Sequence, residues 1–452
     1  MNNQTLGTSE QLKDPDYKLP LLQASALGVQ HILAMFISNV TPAIVVAGAA
    51  GFGFGSNSPD FPQMIYMIQM SMFFAGIATL FQTIGIGPVG ARLPIVQGTS
   101  FAFIPIMIPL VAGKGVEALP ILFGGILVGG LFHAFLGLFI AKIRFMLPPL
   151  VTGIVVLMIG LALIKVGIIY AAGGFPAINK EEFGSLLNWS VALSVVVTTL
   201  AVKFYAKGIL SAAAILVGLV AGYLIAYFLG MVNFNNVSNA SFIAFPKPFH
   251  FGLEFSIAAI VGFCMMSFVS AIETLGDVNA ITQGGAGRSA TDKEIVGATY
   301  ADGFGTAIAG LFGALPNTSF SQNVGLIAMT GVMSRHVVTI GAIILILCGL
   351  VPKIGAIIAT IPIEVLGGGV IVMFGMVASA GIAMLSAVSW NKRNMVIFAI
   401  SISIGFGLQL EPKAVQYLPE SIRVLAVSGI LPAALFAIIL NLIIPQMLRA
   451  KA

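Results

Sequence analysis

Apolar runs of about 20 residues recur along the chain from Leu21 to Ile444, separated by short stretches rich in charge, Pro, Gly or Asn. A helix needs about 20 apolar residues to cross the hydrocarbon core of a bilayer. The pattern therefore predicts an all-α polytopic membrane protein with about 14 transmembrane spans. The predicted spans are 22–46, 62–86, 93–111, 118–141, 149–170, 188–204, 208–232, 254–281, 295–314, 318–332, 337–352, 361–387, 394–409 and 424–446.

Composition supports this prediction and excludes a soluble enzyme. Of the 452 residues, 58% are hydrophobic and 8% are charged, whereas a soluble domain carries about 25% charged residues. The formal charge of +5 comes from 21 Lys and Arg against 16 Asp and Glu. These residues form no basic cluster, so we expect no nucleic-acid partner.

The basic residues are distributed unevenly between alternate loops. With both termini in the cytoplasm, the inside loops and span ends receive Lys13, Lys18, Arg92, Lys142, Arg144, Lys203, Lys207, Arg288, Lys293, Arg335, Lys392, Arg393, Arg449 and Lys451. The outside loops receive only Lys114, Lys180, Lys247, Lys353, Lys413 and Arg423. Cytoplasmic loops carry an excess of Lys and Arg. We therefore expect a cell-membrane protein with cytoplasmic termini, in which residues 1–20 form an amino-terminal tail.

Two sets of residues in the first half of the chain are echoed in the second half. Leu93-Pro94 with Thr99-Ser100-Phe101 is matched by Leu315-Pro316 with Thr318-Ser319-Phe320, and Pro148, Val151, Gly153 and Gly167 by Pro362, Val365, Gly367 and Gly381. These two similarities relate span 3 to span 10 and span 5 to span 12, so each repeat contains seven spans. Because seven is odd, the second repeat must be inverted in the membrane. Inverted repeats are typical of secondary transporters.

Spans 3 and 10 are predicted to be broken. The apolar stretch from Val324 to Val332 crosses only about half of the hydrocarbon core as a helix. Before it, residues 317–321 combine β-forming side chains with side chains that compete with helix. We expect short extended segments here, which a membrane tolerates only where they line a cavity or are buried in protein.

Three carboxyl groups fall inside predicted spans: Glu273, Asp277 and Asp302. A carboxylate in a bilayer is costly and is by default a functional candidate, and one that takes up a proton suits a symporter. The alternative is that it bonds neighbouring hydroxyls and fixes helix packing.

Three polar residues in the spans are further candidates. His31 lies in span 1 and is either functional or a packing residue. Gln322 and Asn323 begin the half-helix of span 10 and either meet a ligand or cap the helix. The sequence contains no metal-binding motif and no cofactor motif, so we expect neither.

The residues Gln322-Asn323-Val324-Gly325, followed by Thr330-Gly331, resemble the signature of the nucleobase-ascorbate transporter family, also called nucleobase-cation symporter family 2. Gln30-His31, Gln97-Gly98-Thr99-Ser100-Phe101, Glu273-Thr274-Leu275-Gly276-Asp277 and Asp302 add independent matches. The resemblance covers nearly the whole chain, and Gln at 322 is similar to the xanthine and uric acid branch.

The resemblance implies a domain scheme and a mechanism. A core domain would comprise 21–145 (spans 1–4) and 254–352 (spans 8–11), and a gate domain 146–233 (spans 5–7) and 353–447 (spans 12–14). Similar members are proton symporters, usually homodimeric through the gate domain, that move substrate by an elevator-like shift of the core.

The resemblance also implies roles for single residues. Glu273 and Gln322 would bind a purine base, Phe101 would stack on it, and Ser100 and the backbone near Ser321 would add contacts. Asp302, Asn323, His31 and Asp277 would tune affinity and proton coupling.

Other functions remain open from the residues alone. The first alternative is a symporter for uracil or another nucleobase. A second is an anion carrier of the sulfate or bicarbonate kind, although such carriers usually add a large cytoplasmic domain, for which residues 449–452 leave no room. An intramembrane enzyme would need a nucleophile–base pair or a metal cluster, and a channel would need no coupling group.

Overall fold

The computed structural model describes residues 6–52, 59–234 and 237–444. Arg449, Lys451 and the ends of the last predicted span and of the gate domain lie outside the described residues. The described part is mainly helical, with one pair of short strands. Its helices are α1 (Ser9–Lys13), α2 (Leu21–Ala50), α3 (Phe61–Ile84), α4 (Ile104–Val111), α5 (Leu119–Leu136), α6 (Ile140–Ile143), α7 (Pro149–Ala171), α8 (Leu186–Tyr205), α9 (Ile209–Ala212), α10 (Ala214–Phe228), α11 (Ile257–Ile281), α12 (Asp292–Leu311), α13 (Ser321–Thr330), α14 (Arg335–Gly349), α15 (Pro352–Ala359), α16 (Ile363–Leu385), α17 (Lys392–Leu410), α18 (Glu420–Val427) and α19 (Ile430–Ile443).

Several predicted spans are shorter or more broken than the hydropathy pattern indicates. Within the described residues, eight helices are long and apolar enough to cross a membrane, or nine if the pair α14–α15, bent by 79°, counts as one span. The remaining predicted spans correspond to the short helices α4, α10, α13 and α19 and to α12, which begins with three charged residues. The total of 14 spans therefore stays a prediction. Helix α15 was not predicted, and it packs against α3.

The expectation of extended segments in spans 3 and 10 is correct. Strand β1 (Gln97–Thr99) and strand β2 (Asn317–Ser319) pair antiparallel in the register Gln97 with Ser319, Gly98 with Thr318 and Thr99 with Asn317. Each strand is fully buried and is followed by a half-length helix, α4 or α13. The two strands satisfy part of each other's backbone hydrogen bonding, which an isolated strand inside a membrane protein could not do.

Helices α7 and α16 pack along most of their length through small residues. A Cβ atom at Gly153 would meet the side chain of Leu385 at 2.7 Å, and one at Gly367 would meet the backbone of Ala171 at 2.1 Å. Each glycine near the start of one helix thus faces the end of the other, so the helices run antiparallel. The absence of a side chain lets the two backbones approach closely.

Part of the predicted amino-terminal tail, residues 1–20, contains a short helix and packed side chains, while residues 1–5 lie outside the described residues. In α1, Thr8 accepts a hydrogen bond from the backbone of Gln11, whose side chain accepts one from the backbone of Thr8. Leu6, Leu12 and Leu19 pack in a small hydrophobic cluster with Val332 and Val337, which lie beyond the end of α13. Residues 6–19 therefore form a strap across that end of the half-helix.

One arginine fastens this strap to the helices. Arg335 donates to the Asp16 carboxylate at 2.6 Å and to the carbonyl oxygen of Thr83, at the end of α3, at 2.6 Å. Its own backbone N–H donates to the carbonyl of Pro15 at 2.9 Å.

Candidate functional site

A small cavity lies where the strand pair meets α7 and α16. Helices α7 and α16 contribute Ile159 and Val377 to its lining. The other lining residues come from the two strands and the residues that follow them, from α11 and from the start of α13: Thr99, Phe101, Glu273, Thr318, Ser319, Phe320, Ser321 and Gln322. Its volume is about 10 Å³, room for about one water molecule. Ligand pockets usually measure about 300–1,000 Å³, so a planar base enters only after the side chains or the two groups of helices move apart.

Two of the residues predicted to bind substrate present unpaired polar atoms here. Glu273 is 6% exposed and lies beside Thr318, while its Oε2 atom is buried without a partner. The Nε2 atom of Gln322 is likewise buried without a partner. An unpaired buried acceptor and an unpaired buried donor are costly. They face one cavity, so a ligand with an N–H and a C=O group would satisfy both.

Aromatic rings form part of the cavity wall. Phe101 packs edge-on against Phe374 of α16, with ring centroids 5.2 Å apart, and lies 6.4 Å from the ring of Phe320. A Cβ atom at Gly98 would sit 2.0 Å from the Phe320 ring, so only glycine allows that ring to lie against β1. Ser100 is fully buried beside these residues with its hydroxyl unpaired, but it does not line the cavity.

Asp277 binds the segment that carries Gln322. It accepts hydrogen bonds from the hydroxyls of Ser319 and Ser321, both at 2.7 Å, and is fully buried. The contacts tie α11 to the end of β2 and to the first residue of α13. These contacts agree with the alternative that Asp277 bonds neighbouring hydroxyls and fixes helix packing. Asp277 does not line the cavity.

Asp302 is held by three side chains from three elements. Its Oδ1 atom accepts hydrogen bonds from Nε2 of Gln82 at 2.8 Å and from Nε2 of Gln97 at 2.5 Å. Its Oδ2 atom is hydrogen-bonded to the Thr274 hydroxyl. Asp302 is fully buried behind the strand pair. The carboxyl group thereby joins α12 to α3, β1 and α11.

His31 and Asn323 bind each other rather than the cavity. Asn323 donates through Nδ2 to Nδ1 of His31 at 3.0 Å and to the His31 carbonyl oxygen at 3.1 Å. This connects α2 with α13. Phe320, the residue before α13, makes no side-chain cap, and Nε2 of Gln322 and Oδ1 of Asn323 have no partner. These observations do not support the alternative that Gln322 and Asn323 merely cap the helix.

The chain matches the model of a permease family from residue 22 to residue 414. It belongs to this family, the nucleobase-ascorbate transporters. The membership predicted from the signature is confirmed, and because the family consists of permeases, the chain is a multi-pass membrane transporter and not an enzyme.

Similar proteins carry purine permease names. A putative purine permease of Clostridium perfringens is 40% identical over 96% of this chain and 92% of that protein. The uric acid permease PucK of Bacillus subtilis is 37% identical over 93% and 95% of the two chains, and the xanthine permease of the same organism is 33% identical over 94% of each.

Solved structures with a similar fold are anion transporters. The transmembrane domain of the cyanobacterial bicarbonate transporter BicA gives a TM-score of 0.57 at 15% identity and covers 93% of this chain and 97% of that one. SLC26A9 gives 0.59 at 13% identity, with 93% of this chain and 65% of that one covered. At such low identity the similarity concerns the fold alone.

Sequence reasoning missed several residues that hold the strand pair and Asp302 in place. Asn39 accepts from the backbone N–H of Thr99 at 2.9 Å, and Thr306 accepts from that of Asn317 at 3.0 Å. Gln82 and Thr274 were missed as partners of Asp302. A neutral amide or hydroxyl within a long apolar run was the sequence signal that could have identified them. Such groups are usually buried only where they find hydrogen-bond partners.

Proposed function

We propose that this permease is a proton-coupled symporter that imports an oxidised purine, xanthine or uric acid. The observation that carries the proposal is the pair of unpaired atoms in one cavity, Oε2 of Glu273 and Nε2 of Gln322. Glu273 accepts from a ring N–H, and the Gln322 amide donates to the adjacent carbonyl oxygen. Phe101 then offers its ring face to the base, and the backbone at Ser321 adds polar contacts. Ser100, which does not line the closed cavity, adds a contact only after the site has opened.

Proton coupling in this proposal depends on Glu273. Its carboxylate accepts from the substrate, and its protonated form fits a dry, closed site better, since a buried charge without a charged partner is expensive. Asp302, Asp277, His31 and Asn323 do not line the cavity. They hold the segments that do, and through them tune affinity and coupling.

The movement in this proposal is an elevator-like shift of a core domain (spans 1–4 and 8–11) against a gate domain (spans 5–7 and 12–14), within 14 spans in two inverted repeats. The cavity supports this because residues of both groups line it, with Ile159 and Val377 on the gate side. The reciprocal packing of Gly153 and Gly367 supports the repeat. The protein is further proposed to be a homodimer through the gate domain, in the lipid bilayer of the cell membrane, with cytoplasmic termini.

An anion carrier of the same fold is the second candidate, because the residues alone leave it open. Among the residues that line the described cavity there is no Lys, Arg or His, and one of them is Glu273. An anion would gain no charge partner there and would meet a carboxylate. A uracil or other nucleobase symporter remains the alternative in the nucleobase class.

Competition for uptake tests the proposal. Cells that overproduce the permease should accumulate labelled xanthine above the medium concentration, and a protonophore should abolish the accumulation. Unlabelled uric acid should compete more strongly than uracil, guanine or adenine. Inhibition by bicarbonate or sulfate but not by uric acid would instead favour the anion carrier.

A further inference from the structure

The donors around Asp302 distinguish its two carboxyl oxygens. Gln82 is oriented unambiguously, because its Oε1 atom accepts from the backbone N–H of Ala91 at 3.2 Å while its Nε2 atom also donates to the carbonyl of Ala298 at 3.1 Å. Its amide can therefore only donate to Oδ1 of Asp302. Gln97 donates to the same oxygen. Both N–H groups point at Oδ1. Gln82 is fixed by its other partners, whereas Gln97, whose Oε1 atom has no partner, is oriented by this contact alone. With Oδ1 occupied in this way, an added proton is placed on Oδ2.

The partner of Oδ2 is a hydroxyl that has a second acceptor within reach. Thr274 has one hydroxyl hydrogen, and its Oγ1 atom lies within hydrogen-bonding distance of both Oδ2 of Asp302 and the carbonyl oxygen of Ser270, the latter at 3.1 Å. A hydroxyl can donate one hydrogen bond and accept two. When Asp302 is ionised, Thr274 donates to Oδ2. When Asp302 is protonated, Oδ2–H donates to Thr274, which turns its own hydrogen to the Ser270 carbonyl.

We propose that Thr274 is a positioning residue whose hydroxyl reverses its hydrogen bond, so that Asp302 can gain and lose a proton at Oδ2 without leaving a buried polar atom unpaired. This inference rests on the proposed proton coupling. One O–H bond forms on Oδ2 as one O–H bond of a hydronium ion breaks, and on release the proton returns to water. No other covalent bond changes.

Other titratable groups near Asp302 do not supply this hydrogen bond. Glu273 and Asp277 lie on the same helix as Thr274 and add negative charge. His133 on α5 is buried but is not among the hydrogen-bond partners of Asp302, and Lys142 on α6 is exposed. Thr274 is thus the one described side chain on Oδ2 that can both donate and accept.

The test compares Thr274→Val and Thr274→Ser with Thr299→Val as a control. Thr299 is buried on α12, and its hydroxyl bonds only the carbonyl of Ile295, at 2.9 Å. Uptake is measured between about pH 5 and about pH 9, a range that spans the usual shifts of a buried carboxyl. Thr274→Val should move the half-maximal pH upward by about half a unit to one unit, because a hydrogen bond to a carboxylate is stronger than one to a neutral carboxyl. Thr274→Ser and Thr299→Val should have the same half-maximal pH of uptake as the unmodified protein.

A double substitution separates a switch from general damage. In an Asp302→Asn background no proton binds at this position, so Thr274→Val should cause no additional shift of the profile. A shift of equal size in that background would overturn the proposal, as would an unshifted profile of Thr274→Val in the unmodified protein.

Infrared difference spectra of the purified permease between the same pH limits give a readout that does not require transport. A carbonyl band that disappears in Asp302→Asn identifies the protonated Asp302 group, and Thr274→Val should move this band to higher frequency. Absence of any such band would refute the proposal even if the symporter assignment holds. A band that behaves as expected without purine uptake would instead refute the proposed substrate and leave the hydroxyl switch supported.

Discussion

Substitutions at Gln322 and Glu273 should separate substrate binding from proton coupling. In Gln322→Leu the substrate carbonyl that meets Nε2 would be buried without a donor. Leaving one such group unpaired costs about 1–3 kcal/mol, which corresponds to a KM about 5- to 150-fold higher. The maximal rate should change much less, because the proton-binding groups remain.

Glu273→Gln should give the opposite result. The new amide has nearly the same shape and can turn its oxygen toward the cavity and its NH₂ group toward Thr318, so equilibrium binding of xanthine should weaken by less than in Gln322→Leu. The carboxyl group on which the proposed coupling depends is lost, so uphill uptake should nearly disappear at normal protein levels. Gln322→Glu should weaken binding and shift the pH optimum, because a second carboxyl then titrates beside Glu273.

The assay combines initial rates of labelled xanthine uptake with equilibrium binding to the purified protein, and Leu275→Val is the matched control. Leu275 is 3% exposed on the same helix and does not line the cavity, so this substitution should leave KM within about twofold, a change of about 0.4 kcal/mol. An unchanged KM in Gln322→Leu would show that its amide is not a ligand. Normal accumulation by Glu273→Gln would show that Glu273 is not the proton site.

Four further results are expected. Phe101→Tyr should change the ranking of purine competitors, measured as inhibition constants, because it alters the ring that faces the base; an unchanged ranking would argue against stacking. Gly98→Ala should raise KM about tenfold or more, because its Cβ would lie only 2.0 Å from a ring carbon of Phe320. Gly375→Ala should not, because no atom lies within 4 Å of the added Cβ. Arg335→Gln should lower the melting temperature of the purified protein by removing the ion pair and the α3 contact of the amino-terminal strap, and an unchanged melting temperature would show that the strap is only loosely held. Tags at the two termini should be labelled only after the membrane is permeabilised, and labelling of either in intact cells would reject the proposed topology.

The broken spans could be predicted because their cause is local. Residues 317–321 resist helix formation through their own side chains, and the apolar stretch behind them is too short to cross a bilayer. Both facts are readable in one window of sequence. The structure accordingly has strands at Gln97–Thr99 and Asn317–Ser319, close to the predicted segments.

The network around Asp302 could not be predicted, because its members are distant in sequence. Gln82 and Gln97 are 220 and 205 residues from Asp302 along the chain, and nothing local relates an amide in one span to a carboxylate in another. The packing of the strap, residues 6–19, could not be predicted for a related reason. Its leucines are too few to form a hydropathy signal, and they are buried only because Val332 and Val337 supply the other half of the cluster.

The most direct test of the central claim uses the purified permease in sealed liposomes with an imposed inward proton gradient. Labelled xanthine or uric acid should accumulate inside above its external concentration, a protonophore should collapse the accumulation, and liposomes with Glu273→Gln should show none. Accumulation that is insensitive to the proton gradient, or equal in the Glu273→Gln liposomes, would contradict a purine:proton symporter that depends on the cavity between Glu273 and Gln322.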